Sequence, residues 1–149
     1  LGCYCVHWVR TVMGMEPRVL TASAVRHESG VDVGMEAVLE FPGGVLAKVR
    51  SSMAEDLPGG LDAGLVIKGE TGTVTVVNPV APHAGNELII GTGDGTTREE
   101  VGGETTYAYQ LRHVRDVLNG RAEPLIGGGD AIANMRVLDD IYRLAGMRP

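Results

Sequence analysis

The sequence predicts an α+β domain: an open, mostly antiparallel sheet with helices on one face. Two observations carry this. One helix-period segment is followed by a run of short alternating segments, and two further helix-period segments close the chain. The alternating segments are separated by Gly- and Pro-rich turns, as antiparallel neighbours require. Helices at the two ends suffice for only one side of such a sheet. The other side needs a partner of its own and, if it is apolar, that partner is a second subunit.

Cys3 to Met13 reads as the first helix, with Cys5, Trp8, Val9, Val12 and Met13 at helical spacing, Gly14 to end it and Pro17 beyond. Arg18 to Glu28 is a strand with Leu20, Ala22 and Ala24 on one side. Met35 to Phe41 alternates more clearly, Met35, Ala37, Leu39 and Phe41 facing one way and Glu36 and Glu40 the other. Pro42-Gly43-Gly44 turns the chain into a partner strand, Val45 to Met53. A Pro- and Gly-rich loop follows at Glu55 to Gly60. Leu61 to Lys68 and Thr73 to Val77 are two more strands, Asn78 to Asn86 is irregular, and Glu87 to Ile90 with Thr96 to Val101 forms a last hairpin. Thr106 is the expected cap of a helix carrying Tyr107, Leu111, Val114 and Leu118 on one face, ended by Gly120. Asp130 is the expected cap of another, with Ala131, Met135, Leu138, Tyr142 and Ala145, closed by Gly146.

Composition narrows the function. A net charge of -6 without a Lys/Arg run gives no footprint for nucleic acid or an anionic membrane. No apolar stretch reaches the roughly 20 residues of a membrane span. Two cysteines, Cys3 and Cys5, make no disulfide framework, and a reducing cytoplasm is expected. Two positions apart on a helix, they point about 200° from each other and cannot converge on one ion. Small core residues are the better reading. His7, His27, His83 and His113 share no metal-ligand spacing. Gly127-Gly128-Gly129-Asp130 lacks the Lys and Ser/Thr of a phosphate loop and reads as a turn into a capped helix. His113 and His27 read as solvated or edge-of-core residues, with a substrate contact as the competing role. Tyr4 alone reads as an amphipathic packing residue. The first residue is Leu1 rather than Met, and the expectation is a piece of a longer protein.

Three stretches together change the weight of these residues: Leu1-Gly2-Cys3-Tyr4-Cys5-Val6-His7-Trp8-Val9-Arg10; Val38-Leu39-Glu40-Phe41-Pro42-Gly43-Gly44-Val45-Leu46-Ala47 followed by Ile67-Lys68-Gly69-Glu70-Thr71-Gly72-Thr73-Val74; and Tyr107-Ala108-Tyr109-Gln110 through Asn134-Met135-Arg136-Val137-Leu138-Asp139-Asp140-Ile141-Tyr142-Arg143. In this order they resemble the C-terminal part of the Gfo/Idh/MocA oxidoreductases, in the branch of dimeric dihydrodiol dehydrogenase and glucose-fructose oxidoreductase. The resemblance implies that residues 1–149 are a substrate-binding and oligomerisation domain. It implies a Rossmann domain, absent from this chain, that holds NAD or NADP. It also implies a homodimer or higher oligomer through the open sheet face, and a sugar, cyclitol or similar hydroxy/carbonyl compound as substrate. With no glycine fingerprint here, no cofactor is expected on this chain alone, and the chain alone is expected to be inactive. By resemblance Tyr4 is the general acid/base, since a phenol can exchange the proton that must accompany hydride chemistry at a carbonyl. The family's acidic residue three places on is His7 here, one turn along the same helix face, so His7 becomes a candidate substrate-binding residue, with His113 as a second. The family's lysine has no counterpart in Lys48 or Lys68. The alternative is a non-catalytic binding, regulatory or dimerisation module on the same scaffold.

Overall fold

The computed structural model describes residues 2–53 and 62–148. The elements in chain order are helix α1 (Gly2–Met13), strands β1 (Arg18–Arg26), β2 (Asp32–Glu40), β3 (Leu46–Ser52), β4 (Gly64–Lys68) and β5 (Gly72–Val77), a 3-10 turn at Pro82–Ala84, strands β6 (Glu87–Thr92) and β7 (Gly95–Glu99), and helices α2 (Thr106–Leu118) and α3 (Gly128–Leu144). The loop expected at Glu55 to Gly60 and the strand start expected at Leu61 lie outside the described residues. The α+β class and the antiparallel pairing are as the sequence predicts. The strands divide into two hydrogen-bonded sheets, β1-β2-β3 and β4-β5-β6-β7. They belong to two compact units, Leu1–Asp56 with Ile126–Pro149, and Leu57–Leu125.

In the first unit the alternation of β2 decides the layering. Ala37, Leu39 and Phe41 are buried and meet Val6 and Val9 of α1, Val49 of β3, and Val137 and Ile141 of α3 in one core. Complete burial of a side chain such as Leu39 stabilises the unit by about 1.5–3 kcal/mol. α1 packs on β3, α3 on β1, and the two helices on each other. The opposite face of β2 is charged. Glu36 is paired with Lys48 at 3.1 Å and Arg50 at 3.3 Å, and Glu40 with Arg18. In β1 the register slips between Val19 and Thr21, so Val19 rather than Leu20 stands opposite Leu39, while Ala22 and Ala24 keep the expected core side.

In the second unit, register sets the faces. Leu65, Val76 and Leu88 line up across β4, β5 and β6, as do Ile67, Val74 and Ile90. Cross-strand partners share a face, so these six form one aliphatic surface. Gly72 of β5 lies so close to the Gly91 carbonyl of β6 that a Cβ would collide with it. The apolar stripe expected on α2 stands out rather than in: Tyr107, Leu111 and Leu118 are all exposed.

Helix ends follow hydrogen-bonding need. Gly14, Gly120 and Gly146 take positive φ just past α1, α2 and α3. The cap of α2 is Thr105, not Thr106, its side chain accepting from the Ala108 amide. Gly127 occupies the N-cap of α3, with Asp130 inside the first turn. Asp130 does not cap because its carboxylate is engaged with side chains of α1.

Candidate active site

Tyr4 occupies the first turn of α1 and is 50% exposed. Its ring meets Trp8 one turn later, with centroids 6.4 Å apart and planes tilted by 40°. His7, also one turn from Tyr4, is half-buried; its Nδ1 lies 3.5 Å from Asp130 Oδ2 and its Nε2 3.4 Å from Thr11 Oγ1. Tyr4 and His7 therefore share one side of one helix. His113 belongs to the second unit, where its Nε2 accepts from the Leu125 amide at 3.3 Å. That bond ties α2 to the chain leaving it and leaves only Nδ1 of the ring for other use. His27 closes a turn instead: its Nδ1 meets the Ser29 hydroxyl at 2.9 Å and the Ser29 amide at 3.2 Å.

Behind Tyr4 and His7 lies a polar cluster that the sequence reading did not single out. Arg10 is 6% exposed. Its Nε and Nη2 donate to the two oxygens of Glu16 at 2.8 and 2.6 Å, and its Nη1 stands 3.0 Å from Asp130 Oδ1. Asn134 joins this group with Oδ1 3.4 Å from Arg10 Nη1, while its Nδ2 donates to the Cys3 carbonyl at 3.2 Å. The Arg10 hydrogen bond holds the Glu16 carboxyl below its ordinary pKa despite some desolvation, and raises that of Arg10 itself. A signal was present in the sequence. Arg10 continues the Val6–Val9 stripe at helical spacing, and a guanidinium at a core position must find carboxylates.

A cleft of about 550 Å³ opens in the first unit beside the first turn of α1, lined by Cys3, Cys5, Met35, Ser51, Met135 and Tyr142 among others. Neither Tyr4 nor His7 lines it, and its phenol and nearest carboxylate are paired with each other, Tyr142 to Asp32 at 2.7 Å. Cys3 is exposed, not a core residue as expected, because it stands in this opening. Cys5 is half-buried, its thiol donates to the Arg50 carbonyl at 3.5 Å, and burial pushes its pKa up. A thiol so placed stays protonated and unreactive.

Among the described residues no group of three His, Cys, Asp or Glu could hold a metal ion. No helix among them is long and apolar enough to cross a membrane. The described residues do not fit a dinucleotide either. Every strand pairing among them is antiparallel, and the glycine turn that opens α3 carries Asp130 in the first turn, a carboxylate where a pyrophosphate needs positive potential.

Known proteins resemble the chain along nearly its whole length. Trans-1,2-dihydrobenzene-1,2-diol dehydrogenase of Bos taurus is 25% identical over 167 residues, covering 99% of this chain and 45% of the relative. D-xylose 1-dehydrogenase (NADP(+)) 2 of Haloferax volcanii is 27% identical, covering 97% of this chain and 44% of the relative. The chain thus spans less than half the length of these curated relatives. The crystal structure of aldose-aldose oxidoreductase from Caulobacter crescentus superposes with a TM-score of 0.81 at 25% identity, over 97% of this chain and 44% of that one. The family model for the GFO/IDH/MocA C-terminal domain matches residues 1–75, which include α1 with Tyr4 and His7. The chain belongs to the GFO/IDH/MocA C-terminal domain family.

Proposed function

We propose that the chain is the substrate-facing part of an NAD(P)-dependent oxidoreductase acting on a sugar, cyclitol or similar hydroxy/carbonyl compound. The observation that carries this reading is Tyr4, half-exposed on α1 inside the family-matched segment, with His7 one turn away. In this reading a Rossmann domain outside the chain holds the nicotinamide cofactor, which supplies or accepts the hydride. The Haloferax volcanii relative, named for NADP(+), supports a nicotinamide cofactor.

Tyr4 gives or takes the proton at the reacting oxygen. The Trp8 contact restrains its ring, so that the hydroxyl need not be ordered when substrate binds. His7 holds a neighbouring substrate hydroxyl. His113 contributes through Nδ1, the ring nitrogen that the Leu125 amide leaves open. The protein works as a homodimer or higher oligomer in the cytoplasm. The aliphatic face of β4, β5 and β6 is the apolar sheet surface on the described residues that such an assembly would cover. The charged ladder on the outer face of β2 would have to be desolvated instead.

The test is Tyr4→Phe in the full-length protein, assayed for steady-state turnover beside a melting curve. Phenylalanine keeps the ring against Trp8 and removes only the oxygen. Turnover should fall by roughly 10²-fold or more with stability unchanged. Unchanged turnover removes Tyr4 from the mechanism, whereas no turnover in the unmodified protein favours a non-catalytic module.

A further inference from the structure

We infer that Asp130 is a positioning residue for His7: it sets the imidazole through Nδ1, so that the Nε2 lone pair is the one left available, on the side of Thr11. Asp130 comes from a different element, the first turn of α3, and its carboxylate is not free to turn. One oxygen is 3.0 Å from the buried Arg10 guanidinium. Arg10 is itself anchored on its other edge by both oxygens of Glu16, and Asn134 reaches it from α3. The second Asp130 oxygen is therefore held in place, 3.5 Å from His7 Nδ1.

The two ring contacts agree on one tautomer. A carboxylate oxygen accepts only, so the Asp130 oxygen at 3.5 Å favours a hydrogen on Nδ1 over a lone pair. The Thr11 hydroxyl near Nε2 can then donate to the lone pair left there. The opposite tautomer would set the Nδ1 lone pair against a carboxylate lone pair, with no donor between them. The charged groups of this cluster are Asp130 from α3, Arg10 from α1 and Glu16 from the turn after it. A substrate hydroxyl arriving at Nε2 takes the place of Thr11 and donates to the same lone pair. A contact between His7 and substrate rests on the function proposed above; the setting of the tautomer by Asp130 does not.

The experiment uses the full-length protein labelled with 15N-histidine, with the His7 signals identified by their loss in His7→Gln. The neutral ring should be the Nδ1–H tautomer, and Asp130→Ala should abolish that preference while Asp130→Glu restores part of it. In kinetics, Asp130→Ala should lower kcat/KM by about 10-fold when His7 is present and have no further effect in the His7→Gln background, since residues acting as a unit are not additive. An Nε2–H tautomer in the unmodified protein overturns the inference, and that measurement needs only the His7→Gln variant used for assignment to fold, not an Asp130 variant. An equal loss with and without His7 also overturns it, because Asp130 would then act through Arg10 and the fold alone. A tautomer that follows Asp130 while neither Tyr4 nor His7 variants change turnover upholds the positioning role and rejects the roles proposed for Tyr4 and His7 in the reaction.

Discussion

The Tyr142 hydroxyl donates to Asp32 Oδ1 at 2.7 Å, joining the last turns of α3 to the first residue of β2. The hydrogen bond to a carboxylate, and then burial, raise the Tyr142 pKa.

Tyr142→Phe should therefore cost about 1–2 kcal/mol in chemical denaturation at neutral pH, toward the low end for a hydrogen bond to a charged group because both residues are half-exposed. A folded pKa above the unfolded value means that this contribution is complete below about pH 10 and disappears as pH rises through the folded value. The gap between the two proteins should close in strong alkali. A Phe variant as stable as the parent at pH 7 would show the bond to be neutral.

Arg10→Met keeps the stem of the side chain and removes the cation between Glu16 and Asp130. It should destabilise the protein by about 1–3 kcal/mol, less than for a wholly buried pair because both carboxylates reach solvent. The Glu16 pKa is depressed, chiefly by its hydrogen bond to Arg10, so the stabilisation is present above the ordinary carboxylate value of 4.5 and is lost as pH falls through the folded value. Denaturation at pH 7 and at about pH 3 should show the difference between parent and variant shrinking in acid.

At Gly72 the partner strand, not the turn, forbids a side chain. Gly72→Ala should cost about 1–3 kcal/mol by forcing β5 away from β6, the scale of overpacking in a tight interior. Gly93→Ala, with open space around its Cα, is the control and should be near neutral. Equal melting temperatures for the two would contradict the close approach.

A lysine at Val74, in the middle of the aliphatic face of the second sheet, should shift an assembled protein toward monomer in sedimentation at tens of micromolar, since a stable interface of at least ~1,000 Å² tolerates a buried unpaired charge poorly. An assembly of unchanged size would place the interface elsewhere.

Much of the fold was legible because side-chain period reports burial directly. Ala37, Leu39 and Phe41 alternate with Glu36 and Glu40, and the structure buries the first set and pairs the second with Lys48, Arg50 and Arg18. The α2 stripe shows the limit. Tyr107, Leu111 and Leu118 repeat at helical spacing yet stand exposed, since period names the face that can be buried and not what covers it. Caps were misplaced by one to three residues, because Thr105 and Thr106 are chemically equal and only backbone angles choose between them. Tyr4 and His7 could be proposed for the site through a motif along one helix. Their support could not, since Asp130 and Asn134 reach α1 from the far end of the chain and no local spacing announces such a meeting.

The slip at Leu20 has a consequence for how copies of the chain can meet. β1 borders its sheet, and a second irregularity falls between Val25 and Arg26, so regular pairing runs only from Thr21 to Val25. A foreign strand laid along that border would find its donors and acceptors out of step after a few residues. Fibre-like growth by backbone addition is thereby discouraged at β1. At the border of the other sheet, β7 is exposed along its length and carries Arg98 and Glu99, charges that an incoming strand would have to desolvate.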